Sequence, residues 1–417
     1  YPARLDDGHF AGALMFREIG AHYPGGRYTC LYDGDGDIEF GFAARVVERH
    51  PGRIDVDVTP NDSGIYLRIT RTNPADPIRN VQLLMPGYDS NFLTQPFHRD
   101  FLDRWKECST LRFMDWGRTN DSTVQTWADR TLPTDQTQAG EHGVAIEYML
   151  LLANTLKADP WICIPHQADN DYVRNLAKLA ARGLDSDRKL WIEYSNEVWN
   201  AQFKQANYCE QRGLSAGLST NPYGARLRYY SKRAVEVFQI CERELGQSKL
   251  VRVIGAQSAN SWTSSEILGY EDAFESTDAL AIAPYFGYEL GKPSTQWQVA
   301  AMTEDQVLAE CDSLMLTAIE SAKQHLTVAK GFGLDLVAYE GGQHLAGFNG
   351  AQTNAQLNDL FHRVNRRVEM GNLYTRYLAA WAQMGGGVFC AFNSAGKFNQ
   401  WGSWGSFEFY DAPLLAQ

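Results

Sequence analysis

The chain has 417 residues, an apolar fraction of 44% and a formal net charge of −12. That length leaves room for a large core and more than one domain, and the acidic balance argues against a nucleic-acid or anionic-membrane surface. The longest apolar runs are short and bounded by Gly, Pro or charge, so no membrane-spanning helix is expected and the chain reads as soluble. The seven cysteines contain no CxxC pair, and an odd number excludes complete internal pairing, so buried free thiols are expected. The chain begins at Tyr1 without Met or an apolar leader, which reads as a processed or trimmed piece.

The first stretch is strand-like. "RYTCLY", "DIEFGF", "RIDVDV" and "IYLRIT" are separated by Gly-, Asn- and Pro-rich turns. In "RIDVDV", Ile54, Val56 and Val58 alternate with Arg53, Asp55 and Asp57, the period of a half-buried antiparallel strand. A β-rich accessory module, a small sandwich or meander, is expected over residues 1–90. "YDGDGDIEF" superficially resembles a calcium loop through Asp33, Asp35 and Asp37. Loop position six, however, is Ile38 where Gly is required, and position twelve is Ala44 where an acid is required. It reads as a hairpin turn without metal.

Beyond residue 90 short apolar runs alternate with helical patterns. "DYVRNLAKLAARGL" spaces Val173, Leu176, Ala177, Ala180, Ala181 and Leu184 along one helical face, with Gly183 as a stop. "TEDQVLAECDSLMLTAIESAKQHL" opens on a capping box of Thr303 and Gln306. The runs between helices are "TLRFMDW", "PWICIPH", "LWIEYSNE", "LVRVIGAQ", "ALAIAPY", "DLVAYEGG" and "GVFCAFN". Strands alternating with helices predict a parallel sheet, and with one strand more, a (β/α)8 TIM barrel over 91–417. We read "NVQLLMPGY" with the helical "FHRDFLDRWKEC" as the first βα unit. The alternative is that it closes the β module and that the first barrel strand lies upstream of Tyr1. An open doubly wound sheet lacks support, since no GxGxxG or Walker-type loop is present.

Functional groups of a barrel sit at the C-terminal ends of its strands. Glu197 ends "LWIEYSN" and Glu340 ends "LDLVAY", on the fourth and seventh strands by this count. Two carboxylates across one barrel mouth suit glycoside hydrolysis, one as protonated acid and the other as nucleophile. Taken singly, an acid after a strand is more often a helix cap or a solvated loop charge.

"SNE" and "YEGG" at these two strand ends resemble glycoside hydrolase clan A, the retaining (β/α)8 glycosidases. The resemblance spans roughly residues 105–405. It implies Glu197 as acid/base, Asn196 as partner of the sugar 2-hydroxyl and Glu340 as nucleophile. Arg112 in "LRFMDW" matches the clan's strand-two Arg, which would keep Glu340 ionised, and Tyr285 in "APYFG" matches a strand-six Tyr bonded to the nucleophile. His166, ending "PWICIPH", fits a sugar-binding position after strand three and is as readily structural; His98 and His344 read as structural and solvated. Val198 replaces the common Pro after Asn-Glu, and "FCAFN" lacks the clan's strand-eight Trp, although Trp401 and Trp404 follow.

Trp116, Trp199, Trp262, Trp401 and Trp404 lie near strand ends, where indole faces can stack on sugar C–H faces or simply pack in the core. The implied activity is retaining hydrolysis of a β-linked polysaccharide of cellulose or hemicellulose type. It needs no cofactor and no nucleic-acid or membrane partner, and such a substrate implies a secreted or extracytoplasmic location. An exo-acting arabinofuranosidase or β-glycosidase is the alternative enzyme. A non-catalytic carbohydrate-binding barrel is the alternative class.

Overall fold

The computed structural model describes residues 2–3 and 11–412, and the chain divides into two compact units. Of the described residues, the first holds 2–3, 11–103 and 409–412; the second holds 104–408.

The first unit carries β1 (Pro2–Ala3), β2 (Ala11–Met15), β3 (Gly26–Asp33), β4 (Gly36–Phe42), β5 (Ala44–His50), β6 (Arg53–Val58), β7 (Ile65–Thr72) and β8 (Arg79–Leu84). They form two antiparallel sheets, ordered β1-β2-β7-β4 and β5-β6-β3-β8. Tyr28, Cys30, Ile54 and Val56 of one sheet and Ile38, Ile65 and Leu67 of the other share a single apolar core. Ile54, Val56 and Val58 are buried as their alternation predicts. Asp55, on the opposite face, is also largely buried, because Thr29 and Arg53 donate to its carboxylate at 3.2 and 3.0 Å.

Asp33, Asp35 and Asp37 lie at the β3–β4 turn, which is not the expected hairpin: β3 pairs with β6 and β8, and β4 pairs with β7 in the other sheet. Gly34 sits there at φ +90°, and a Cβ would fall 2.2 Å from the Pro77 carbonyl oxygen. Arg71 bonds Asp37 at 2.7 Å and Asp35 at 3.3 Å, while Asn80 donates to Asp33 at 2.7 Å. Arg71 and Asn73 hold the Asp35 carboxyl below its ordinary range.

One expectation is corrected here. "NVQLL" does not open the parallel sheet: β8 pairs antiparallel with β3, Leu84 opposite Thr29 and Gln82 opposite Leu31. It therefore belongs to the β module, as the first half of the alternative reading has it. Val81, Leu83 and Met85 pack on the shared core. A short apolar run records that it is buried but not which strand it pairs with.

In the second unit β9 (Thr110–Arg112), β10 (Asp159–Ile164), β11 (Leu190–Tyr194), β12 (Leu250–Gly255), β13 (Ala279–Ile282) and β14 (Asp335–Ala338) form one six-stranded sheet. All pairs are parallel and the spatial order follows the chain without reversal, unlike a doubly wound sheet. β10, β11, β12 and β13 are buried almost throughout, as expected of strands covered on both faces. Helices such as Ile146–Leu156, Asn170–Gly183 and Pro222–Leu245 fill the crossovers. "GVFCAFN" forms no extended ladder, but residues 387–390 run parallel to β14. Gly387 donates to Leu336 at 2.8 Å, Ala338 to Val388 at 2.8 Å, and Cys390 to Ala338 at 3.0 Å. No eighth strand appears beside these among the described residues.

The long helix Glu304–Gly331 starts on the expected capping box, Thr303 N–H donating to Gln306 Oε1 at 2.8 Å and Gln306 N–H to Thr303 Oγ1 at 3.2 Å. Thr303→Ala is expected to cost about 1 kcal/mol, read as a lower urea midpoint. An unchanged midpoint would mean that other contacts hold this helix end. All seven cysteines are free thiols, five of them buried. Among the described residues no helix is long and apolar enough to cross a membrane.

Candidate active site

β11 delivers the first carboxylate through an unusual turn. Ser195 and Glu197 both adopt left-handed backbone conformations, φ +63° and +41°. For non-glycine residues this costs on the order of 1–3 kcal/mol each, and such conformations cluster at functional sites. The turn leaves Asn196 buried and tied on three sides. Its Oδ1 accepts from Arg112 Nη2 at 2.8 Å, its Nδ2 donates to Asn120 Oδ1 at 2.9 Å, and its main-chain oxygen accepts from Gln205 at 2.9 Å. Glu197 then receives the Tyr339 hydroxyl on Oε1 at 2.7 Å and Asn200 Nδ2 on Oε2 at 3.0 Å.

β14 delivers the second. Glu340 follows Tyr339, so one backbone step serves both acids: Tyr339 reaches Glu197, and Glu340 meets Arg112 Nη1 at 3.4 Å. Gly342, just beyond, has φ +138°, and a Cβ there would lie 2.5 Å from the Tyr374 hydroxyl. Burial, the charges of Glu340 and Glu197, and a hydrogen bond to Glu340 all push the Tyr285 hydroxyl up. Glu197, Glu340, Asn196, Arg112 and Tyr285 thus come together from β9, β11, β13 and β14.

The resemblance has Arg112 keep Glu340 ionised, and in the structure burial acts against that. Burial, followed by the charge of Glu197, pushes Glu340 up to about 8 against the downward pull of Arg112. Desolvation wins because the guanidinium is shared with other acceptors and meets Glu340 only at 3.4 Å.

The remaining expected residues are distributed unevenly. His166 is buried, and burial lowers its ring to about 4; its Nδ1 has no hydrogen-bond partner among the described residues. Trp404 reaches the site, edge-on to Tyr285 at 5.8 Å. Trp199 is only 7% exposed and packs against Tyr339 and Tyr230, so it buttresses the tyrosine that binds Glu197. Trp116 packs on Phe113, while Trp262 (48% exposed) stacks on Tyr223 and Trp401 is 60% exposed.

His344 is half-buried. It lies among Tyr285, Tyr288 and Trp404, and burial lowers it to about 4. Glu193, Tyr339, Asn120 and Gln205 were not anticipated. Glu193 did carry a signal, a carboxylate inside the apolar run "LWIEY".

No protein-family model and no curated protein matches the chain. Among solved structures it is similar to an alpha-L-arabinofuranosidase from Thermotoga maritima, at 13% identity and TM-score 0.43, over 76% of this chain and 60% of that one. A modular endo-beta-1,4-mannanase from Cellulomonas fimi shares 12% identity at TM-score 0.36, over 62% and 53% of the two chains. A Bacteroides uniformis beta-glucuronidase shares 10% at TM-score 0.42, over 95% and 46%. These structural neighbours are glycoside hydrolases. The chain spans about 60% of the length of the arabinofuranosidase.

Proposed function

We propose that this protein is a retaining glycoside hydrolase acting on a β-linked polysaccharide of cellulose or hemicellulose type. The observation that carries the reading is Arg112 bonded at once to Glu340 and Asn196, with Glu197 electrostatically coupled to Glu340. Glu340 attacks the anomeric carbon while Glu197 protonates the leaving oxygen; Glu197 then takes a proton from water, which hydrolyses the glycosyl-enzyme. The working pair carries one proton. In the reacting complex we place it on Glu197, because Arg112 and Tyr285 favour charge on Glu340 and the leaving oxygen draws the proton to the other acid. Asn196, fixed by Arg112 and Asn120, is oriented to bond the sugar 2-hydroxyl. His166 and Trp404 are proposed substrate contacts.

We read the six-stranded sheet, with residues 387–390 beside β14, as the greater part of a (β/α)8 barrel whose strand ends form the cleft. The β-rich module of residues 1–90 is accessory to a catalytic region of 91–417. A polymer substrate places the enzyme outside the cytoplasm.

The test is a panel of aryl glycosides and polysaccharides, with wild type and Glu340→Ala, reading the anomer of the first product by NMR. Retention in wild type and loss of turnover in the variant are expected. Inversion would refute double displacement. Saturable binding of glycans without turnover would make the protein a carbohydrate-binding barrel, and activity on arabinofuranosides alone would move the substrate class.

A further inference from the structure

Glu193 is a carboxylate inside β11, its side chain 1% exposed. An ionised carboxylate at such a place is strongly destabilising unless it is paired and fully bonded. Four donors meet it, all on Oε2: Arg112 Nη2 at 2.9 Å, Arg112 Nε at 3.1 Å, Trp161 Nε1 at 2.9 Å and the Cys163 thiol at 3.3 Å. The guanidinium is planar, so holding Nε and Nη2 fixes where its other N–H bonds point. They point at Glu340, through Nη1 at 3.4 Å, and at Asn196, through Nη2 at 2.8 Å. The Trp161 and Tyr339 rings face the same guanidinium at 5.4 and 4.8 Å.

We infer that Glu193 is a positioning residue, fixing Arg112 so that the N–H bonds not given to Glu193 are aimed at Glu340 and Asn196. The inference rests on the proposed roles of those two residues. Glu193 touches no reacting atom; it acts through Arg112.

A second consequence follows from its charge. The charged groups bearing on Glu340 are Glu197, Arg112, Asp115 and Glu193. Burial raises Cys163, Tyr230, Tyr285 and Tyr339, which stay neutral around the raised titration of Glu340. Glu193 is thus one of three anions that push that titration up, and its removal lowers it.

The experiment compares Glu193→Ala, which removes the acceptor, with Glu193→Gln, whose amide oxygen can replace Oε2 without the charge. With an activated aryl glycoside, Glu193→Ala is expected to lose about 10–100-fold in kcat, the effect usual for a lost outer-shell partner. Glu193→Gln is expected to recover most of that loss, with the basic limb of its kcat/KM profile moved down by about one pH unit. A merely structural residue would not move that limb. A wild-type limb in Glu193→Gln overturns the inference, whether or not Glu193→Ala folds. The Arg112 Nε–H resonance, assigned by its loss in Arg112→Lys, supplies a readout independent of turnover. It should exchange slowly in wild type and Glu193→Gln and quickly in Glu193→Ala. If wild type cleaves no glycoside, the functional reading fails by itself, and this exchange rate still decides whether Glu193 holds Arg112; equal rates in all three proteins overturn it.

Discussion

Glu340→Ala is expected to lower turnover of every glycoside by roughly 10⁴–10⁶-fold, whatever the leaving group, because no covalent intermediate can form without the proposed nucleophile. Glu197→Ala should behave differently. Proton donation matters most when the leaving group is poor, so polysaccharides and alkyl glycosides should suffer far more than activated aryl glycosides. Azide separates the two further. In Glu197→Ala it attacks the glycosyl-enzyme without needing a general base, and the product azide keeps the configuration of a β-linked substrate. In Glu340→Ala it can enter only from the face vacated by the nucleophile, so any product azide is inverted. Both outcomes are read from the anomeric proton of the isolated azide. A shared leaving-group dependence and a common product anomer would show that the two carboxylates have been given the wrong roles.

Glu340→Gln is expected to stabilise the protein at alkaline pH and to do so far less in acid. The sign follows from burial, which raises Glu340 from its ordinary 4.5 to about 8 in the folded chain. Below about 4.5 both states are protonated and the site is neutral on either side of the equilibrium. Between the two values the folded state holds a proton that the unfolded state releases, so stability falls as pH rises. Above about 8 the loss is complete, and the folded protein carries a poorly solvated charge beside Glu197. The amide has no such titration. Thermal melts at pH 5 and pH 9 should show the variant's advantage growing with pH, to on the order of 5 °C at the upper value. A difference independent of pH would mean that Glu340 titrates alike folded and unfolded, and the proposed one-proton pair would lose its basis. Higher stability with lost activity is what an evolved catalytic carboxylate leads one to expect.

Local chemistry wrote much of this molecule into its sequence. The period-two burial of Ile54, Val56 and Val58, the Thr303–Gln306 box, and the helix over 170–183 depend on neighbours within one strand or one turn, so short-range patterns suffice. The apolar runs of β9 to β14 were legible for the same reason, as were Glu197 and Glu340 at their ends. Partnership is a long-range matter, and there the pattern fell short. "NVQLL" looks the same whether it opens a parallel sheet or closes an antiparallel one, and only β3 decides. The left-handed turn at Ser195 and Glu197 is invisible locally, because neither residue type favours it; Arg112, Asn120 and Gln205 hold it from other segments. The balance at Glu340 is not legible in residue order, because a pKa sums burial and charge over the whole cleft. Arg112, matched to Glu340 alone, proves to be divided among Glu193, Asn196 and Glu340. Residue order was enough to place two acids at strand ends; how far each is buried, and which cation it shares, is settled only when β9, β11 and β14 are brought side by side.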